Sequence, residues 1–174
     1  MDTEAELMDM AEWSIDNNPG FDGMALIRDD LTFTCEGAVL PITLALPVLG
    51  GMEADARKSP LVVFLQGSAW TQPNRFFQLP QLCRYAQGGL AVASITHRNC
   101  LDGHPFPAYL KDAKAALRFL RANADGLGLD PDRVAFFGTS SGGNTALLVG
   151  LTANDPRYRT NDYPGQSDSV RAVV

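Results

Sequence analysis

The run Val134-Ala135-Phe136-Phe137-Gly138-Thr139-Ser140-Ser141-Gly142-Gly143-Asn144-Thr145-Ala146-Leu147-Leu148 constrains this chain more than any other stretch. A short apolar segment meets Gly138, turns through Ser140, passes two glycines and becomes an alanine- and leucine-rich helical segment. A strand that reverses into a helix this quickly bends its backbone sharply. A side chain two residues before or after the serine would then collide with the neighbouring strand or helix. Gly138 and Gly142 stand at those two positions. In this strand-turn-helix context the Gly-x-Ser-x-Gly spacing makes Ser140 a candidate nucleophile. The helix that follows leaves its first N–H groups unpaired and presents its positive dipole end to the serine. The N–H of Ser141 is therefore a candidate donor to a developing oxyanion.

Around this bend the chain alternates strands and helices. Residues 61–65 (Leu-Val-Val-Phe-Leu), 90–95 and 133–137 are apolar runs expected of strands covered on both faces. A loop and helix are expected over residues 74–87, and a longer helix follows Phe106-Pro107 to about residue 123. In that helix Leu110, Ala113, Leu117, Leu120 and Ala124 step by three and four, one buried stripe. Lys111, Lys114, Arg118 and Arg121 form a basic stripe expected to be a solvated face. Ahead of this pattern, residues 31–35 and 41–46 read as a hairpin turned at Glu36-Gly37. Residues 4–17 read as a short helix and residues 47–60 as a surface loop. After the elbow helix, ending near residue 153, a polar loop leads to a last strand over residues 170–174. The fold class is α/β: a mostly parallel sheet with helices on both faces and the hairpin at its antiparallel edge. Ligands of such sheets sit beyond the carboxyl ends of the strands, where the loops after Leu65, Ile95 and Phe137 gather.

Composition narrows the partners. The 174 residues carry a net charge of −6 with no basic cluster, which argues against nucleic acid and anionic membrane surfaces. Three cysteines without Cys-x-x-Cys spacing indicate neither a disulfide framework nor a zinc site, and no cofactor or metal is expected. The acidic N-terminus has no apolar signal region, and no run approaches the roughly 20 apolar residues of a membrane span. A cytoplasmic protein is the expectation. The glycine-rich turn has the spacing of neither nucleotide-binding fingerprint, so phosphate binding there is disfavoured.

A second oxyanion donor is expected from the loop after residue 65, Gln66-Gly67-Ser68-Ala69-Trp70. The N–H of Ser68 is the favoured donor and that of Ala69 the neighbouring possibility. Trp70 is a candidate substrate wall, or equally a half-buried loop anchor. Neither histidine fits the role of general base. His97 ends a strand and His104 precedes prolines, whereas serine hydrolases built on this turn order their triad Ser, acid, His. His97 is expected to pack beneath the site and His104 to be a surface or rim residue. Arg98 and Asp112 are expected to form a buried ion pair. Asp155, Asp162 and Asp168 read as ordinary loop carboxylates.

Taken in order, Val-Phe-Leu-Gln-Gly-Ser-Ala-Trp, Ala-Ser-Ile-Thr-His97-Arg98, Pro105-Phe106-Pro107-Ala108 with Asp112-Ala113-Lys114-Ala115-Ala116, and Gly138-Thr139-Ser140-Ser141-Gly142-Gly143 resemble α/β-hydrolase-fold esterases. The group resembled contains bacterial feruloyl and acetyl-xylan esterases and hormone-sensitive-lipase-like carboxylesterases. The resemblance runs over about residues 30–174, leaving residues 1–29 as an N-terminal helical or loop extension. Two departures stand out: Gln66-Gly67-Ser68 replaces the family's His-Gly-Gly, and His97-Arg98 its Tyr-Arg. The resemblance implies a serine carboxylic-ester hydrolase acting on a small acyl or carbohydrate-linked ester through an acyl-enzyme. It also implies that residues 30–174 are the N-terminal part of the domain, with further C-terminal strands and helices and with the triad acid and histidine beyond residue 174. On that expectation the 174-residue chain alone is inactive. The other reading is a non-catalytic α/β-hydrolase-like protein that binds or assembles.

Overall fold

A computed structural model describes residues 24–48 and 58–174. The expected helix over residues 4–17 and most of the loop over residues 47–60 lie outside the described residues.

The strands are β1 (Ala25–Cys35), β2 (Ala38–Pro47), β3 (Ser59–Leu65), β4 (Ala91–Ile95), β5 (Leu129–Gly138) and β6 (Ala172–Val173). They form one sheet in the order β1-β2-β4-β3-β5-β6. The β1–β2 and β2–β4 pairs are antiparallel, while β4–β3, β3–β5 and β5–β6 are parallel. The hairpin is longer than its apolar core suggests, because β1 begins at Ala25 and carries a register shift between Arg28 and Leu31. Glu36 and Gly37 both have positive φ, 50° and 86°, which closes the two-residue turn at the register the strands require. β5 likewise starts earlier than its apolar run, at Leu129, with a shift opposite Pro60 and Leu61. The last strand is shorter than expected, Ala172–Val173 at the outer edge of the described sheet.

Among the described residues the longer helices that cover the sheet are α1 (Leu79–Gln87), α2 (Ala108–Ala122) and α3 (Ser141–Leu151), and a single turn at Ala124–Leu127 follows α2. Strand alternation divides the core between two faces. Leu61, Val63, Leu65, Ala91, Ala93 and Ile95 pack with α2 and α3, whereas Phe64 and Val92 pack with Leu82 and Ala86 of α1. The expected stripe of α2 is buried from Leu110 to Ala124.

The basic stripe on α2 is not a solvated face. Lys114 and Arg118 are fully buried, because the segment after α3 folds back over this side of the helix. Lys114 Nζ donates to Asp168 Oδ1 at 2.9 Å and to the Thr152 carbonyl at 2.6 Å. Arg118 donates to Asp168 Oδ2 at 3.2 Å, Thr160 Oγ1 at 2.8 Å and the Asp162 carbonyl at 3.2 Å. Arg121 caps the Pro131, Ser167 and Ser169 carbonyls. Desolvation lowers the pKa of both arginines, with Asp168 opposing the shift. Asp168 therefore departs from the expected loop carboxylate: it is 1% exposed and anchors the segment. Asp162 also ties across the fold, to Thr34 Oγ1 and the Glu36 N–H. Asp155 keeps a local role, capping a short 3₁₀ turn and pairing with Arg157.

Candidate active site

β3 and β5 lie side by side, with Leu65 level with Gly138, so the loops that leave their carboxyl ends start together. Thr139 N–H donates to the Leu65 carbonyl at 3.3 Å. Ser140 follows at φ 51°, ψ −123°, a left-handed backbone that costs a non-glycine residue about 1–3 kcal/mol. Its neighbours show why glycine is required. A Cβ on Gly138 would meet the Gly142 carbonyl oxygen at 2.2 Å, and one on Gly142 would meet the Leu65 carbonyl oxygen at 2.1 Å. Ser140 is exposed at the start of α3, and Ser141 occupies the first helical position.

The loop after β3 comes down against this bend. A Cβ on Gly67 would lie 2.7 Å from Ser140 Cβ, so only glycine permits the approach. Two side chains of the elbow fasten the loop. Gly67 N–H donates to Thr139 Oγ1 at 3.0 Å, and Ser68 N–H donates to Ser141 Oγ at 2.9 Å. The second bond bears on the favoured donor. The Ser68 N–H is engaged by the Ser141 hydroxyl, because the residue after Ser140 is a serine whose side chain reaches the loop. Among the described residues, the Ala69 N–H makes no hydrogen bond. Ala69 and Trp70 both have positive φ, 51° and 58°, and this pair of turns carries the loop past Ser140.

Trp70 is half-buried and anchors its loop, the second of the two roles expected of it. Its carbonyl accepts from Cys100 N–H at 3.0 Å, anchoring the loop that follows β4. Its ring lies 5.9 Å from that of Tyr109, which in turn lies 5.8 Å from Phe106. Tyr109 and Phe106 were not singled out by sequence, since aromatics at a helix start look like ordinary core.

His97 is buried, as expected of a residue packed beneath the loops. His97 is 4% exposed, its Nδ1 2.8 Å from the Arg98 carbonyl and its ring 6.0 Å from Tyr109. Burial pushes its pKa below the ordinary imidazole value, with the Arg98 carbonyl and Asp112 opposing. His104 is half-buried. Among the described residues neither histidine hydrogen-bonds Ser140, and no group of His, Cys, Asp or Glu is arranged to hold a metal ion. Arg98 pairs with the fully buried Asp112 at 2.8 Å and with Glu36 at 3.1 Å, which ties the post-β4 loop to α2 and the hairpin. Asp112 raises the arginine's pKa. No described helix is long and apolar enough to cross a membrane.

A family model described as BD-FAE matches residues 52–174, which includes the elbow, the post-β3 loop and helices α1 to α3. The chain belongs to the BD-FAE family. Esterase LipC of Mycobacterium tuberculosis (strain ATCC 25618 / H37Rv) is 38% identical over 123 residues, covering 70% of this chain and 30% of LipC. Carboxylesterase NlhH of Mycobacterium tuberculosis (strain CDC 1551 / Oshkosh) is 34% identical over 96 residues, covering 55% of this chain and 30% of NlhH. Among solved structures, the butyrate-bound esterase Est2 of Thermogutta terrifontis matches with a TM-score of 0.68 at 21% identity. That match covers 88% of this chain and 53% of Est2. It shows the α/β-hydrolase fold for the part that this BD-FAE chain covers. The chain spans about 30% of the length of these curated relatives.

Proposed function

We propose that Ser140 is the nucleophile of a serine carboxylic-ester hydrolase. The observation that carries this reading is the strained Ser140 backbone between two sterically obligatory glycines, with a second loop pressed against it. Strain of this kind persists only where the surrounding structure enforces it, and it gathers at active sites. In the reaction Ser140 Oγ bonds to the ester carbonyl carbon while its proton leaves to a base and the carbonyl π pair moves onto oxygen. Collapse of that oxyanion expels the alcohol and leaves an acyl-enzyme, which water hydrolyses by the same steps. The unpaired N–H groups of Ser141 and Ala69 are the direct backbone donors to the oxyanion, and Ser68 supports the pocket through Ser141. One such donor contributes about 3 kcal/mol in comparable sites. The Trp70 and Tyr109 rings beside the loop suit a small apolar acyl group or a sugar face.

Among the described residues no base contacts Ser140, so the 174-residue chain by itself should turn over slowly. Enzymes stripped of a triad member keep only about 10³- to 10⁴-fold acceleration over water. The test is labelling with a fluorophosphonate probe, alongside p-nitrophenyl acetate hydrolysis. Slow labelling that vanishes in Ser140→Ala supports the reading. Labelling that survives in Ser140→Ala, or no labelling at all, would instead favour a non-catalytic binding protein.

A further inference from the structure

The Ser141 hydroxyl is half used. Its oxygen accepts the Ser68 N–H at 2.9 Å, but its proton has no acceptor among the described residues. Ser141 is 5% exposed, so water does not readily supply one. Ser68 Oγ is not its acceptor either, since that atom is buried without any hydrogen-bond partner. A buried donor left unsatisfied costs about 1–3 kcal/mol and calls for an explanation. Two features sharpen it. A hydroxyl that accepts from an amide is polarised into a stronger donor through its own proton. Ser141 also stands at the first position of α3, where its backbone N–H is unpaired by helix geometry. One residue, immediately after Ser140, thus carries two free donors.

We propose that the Ser141 hydroxyl is a direct donor to the oxyanion formed at Ser140, so that Ser141 contributes both its N–H and its O–H to the pocket. The proposal rests on Ser140 being the nucleophile. Ser68 then acts as a positioning residue, its N–H fixing the Ser141 rotamer and orienting the proton. Alanine in place of Ser141 would free the Ser68 N–H but remove the nearer donor.

Phenylboronic acid tests this without a general base or turnover. Ser140 Oγ bonds to boron, the hydroxyl proton passes to solvent, and boron becomes a tetrahedral anion whose oxygen occupies the oxyanion position. The adduct is counted by its tetrahedral ¹¹B NMR signal, and its Kd is obtained by titration of the 174-residue chain. Ser141→Ala is expected to weaken binding at least tenfold, and Ser141→Thr, which keeps the hydroxyl, to restore it to within about threefold, scaled to the loss of one oxyanion donor. Ser141→Cys, similar in size but a weak donor, should behave like alanine and serves if the alanine variant fails to fold. A Kd in Ser141→Ala within twofold of the unsubstituted chain, or tighter, overturns the hydroxyl's role while leaving Ser140 as nucleophile. An adduct that forms equally in Ser140→Ala, or no adduct in the unsubstituted chain, overturns both.

Discussion

Replacing Asp168 with asparagine probes the least expected feature of this fold. The carboxylate is 1% exposed and accepts from Lys114 Nζ at 2.9 Å, Arg118 at 3.2 Å and the Asn154 N–H at 2.7 Å. Both cations are fully buried, so neither can turn to water when the charge is removed. Asparagine keeps the volume and one acceptor but faces its amide hydrogens toward groups that are all donors. Removing one partner of a buried pair costs about 3–5 kcal/mol, chiefly because the other charge is left uncompensated. Because asparagine keeps one acceptor, about 3 kcal/mol is expected. That is a large share of the roughly 5–15 kcal/mol that holds a domain together. For a chain of this size it corresponds to a Tm drop of about 6–12 °C. Urea denaturation followed by circular dichroism measures it, with thermal melting as a second readout. The control is Asp155→Asn, which breaks an exposed pair with Arg157 and should leave the urea midpoint unchanged. A loss below about 1 kcal/mol for Asp168→Asn, the scale of a surface pair, would refute the reasoning.

Three further outcomes follow from the site. Gly142→Ala drives a Cβ to 2.1 Å from the Leu65 carbonyl oxygen and should cost about 1–3 kcal/mol or more by urea denaturation. Gly143→Ala meets its nearest atom at 3.2 Å and should cost less; equal losses would contradict the steric account. Asp112→Ala strips the buried partner from Arg98 and should lower stability by about 3 kcal/mol, and an unchanged melting curve would show the pair to be dispensable. His97 has a native pKa below the ordinary value of about 6.5, so the unfolded chain takes up its proton first as pH falls. Stability should therefore decline as pH drops through about 6.5 toward the lower native pKa and level off beneath it. Urea midpoints between about pH 7.5 and 5.5 should show a shallower decline in His97→Asn; parallel slopes would remove His97 as the cause.

Much of the architecture was legible because it rests on local rules. The strands at residues 61–65, 90–95 and 133–137 announce themselves as apolar runs, and the elbow by the spacing of its glycines about Ser140. The Arg98–Asp112 pair and the burial of His97 are also legible, since His97 and Arg98 follow a strand end and Asp112 sits in the helix after that loop. Other features depended on partners distant in sequence. Lys114 and Arg118 look solvated on a helical wheel, yet a segment 44 to 54 residues later buries them. The Ser68 N–H looked free because nothing local shows that Ser141 Oγ, 73 residues away, accepts from it.

Sequence alone determined that residues 134–148 turn from strand to helix through Ser140, since glycine at 138 answers a steric demand from Gly142, close by in the chain, whereas the demand at 142 comes from the Leu65 carbonyl on the neighbouring strand. It also determined the alternation that makes the sheet parallel from β4 onward. Only the tertiary structure decided which charges are buried, and whether the donors around Ser140 are free or engaged. Those outcomes turn on side chains that meet across the fold, and a hydrogen bond or an ion pair is fixed by separation in space, which one-dimensional spacing does not encode.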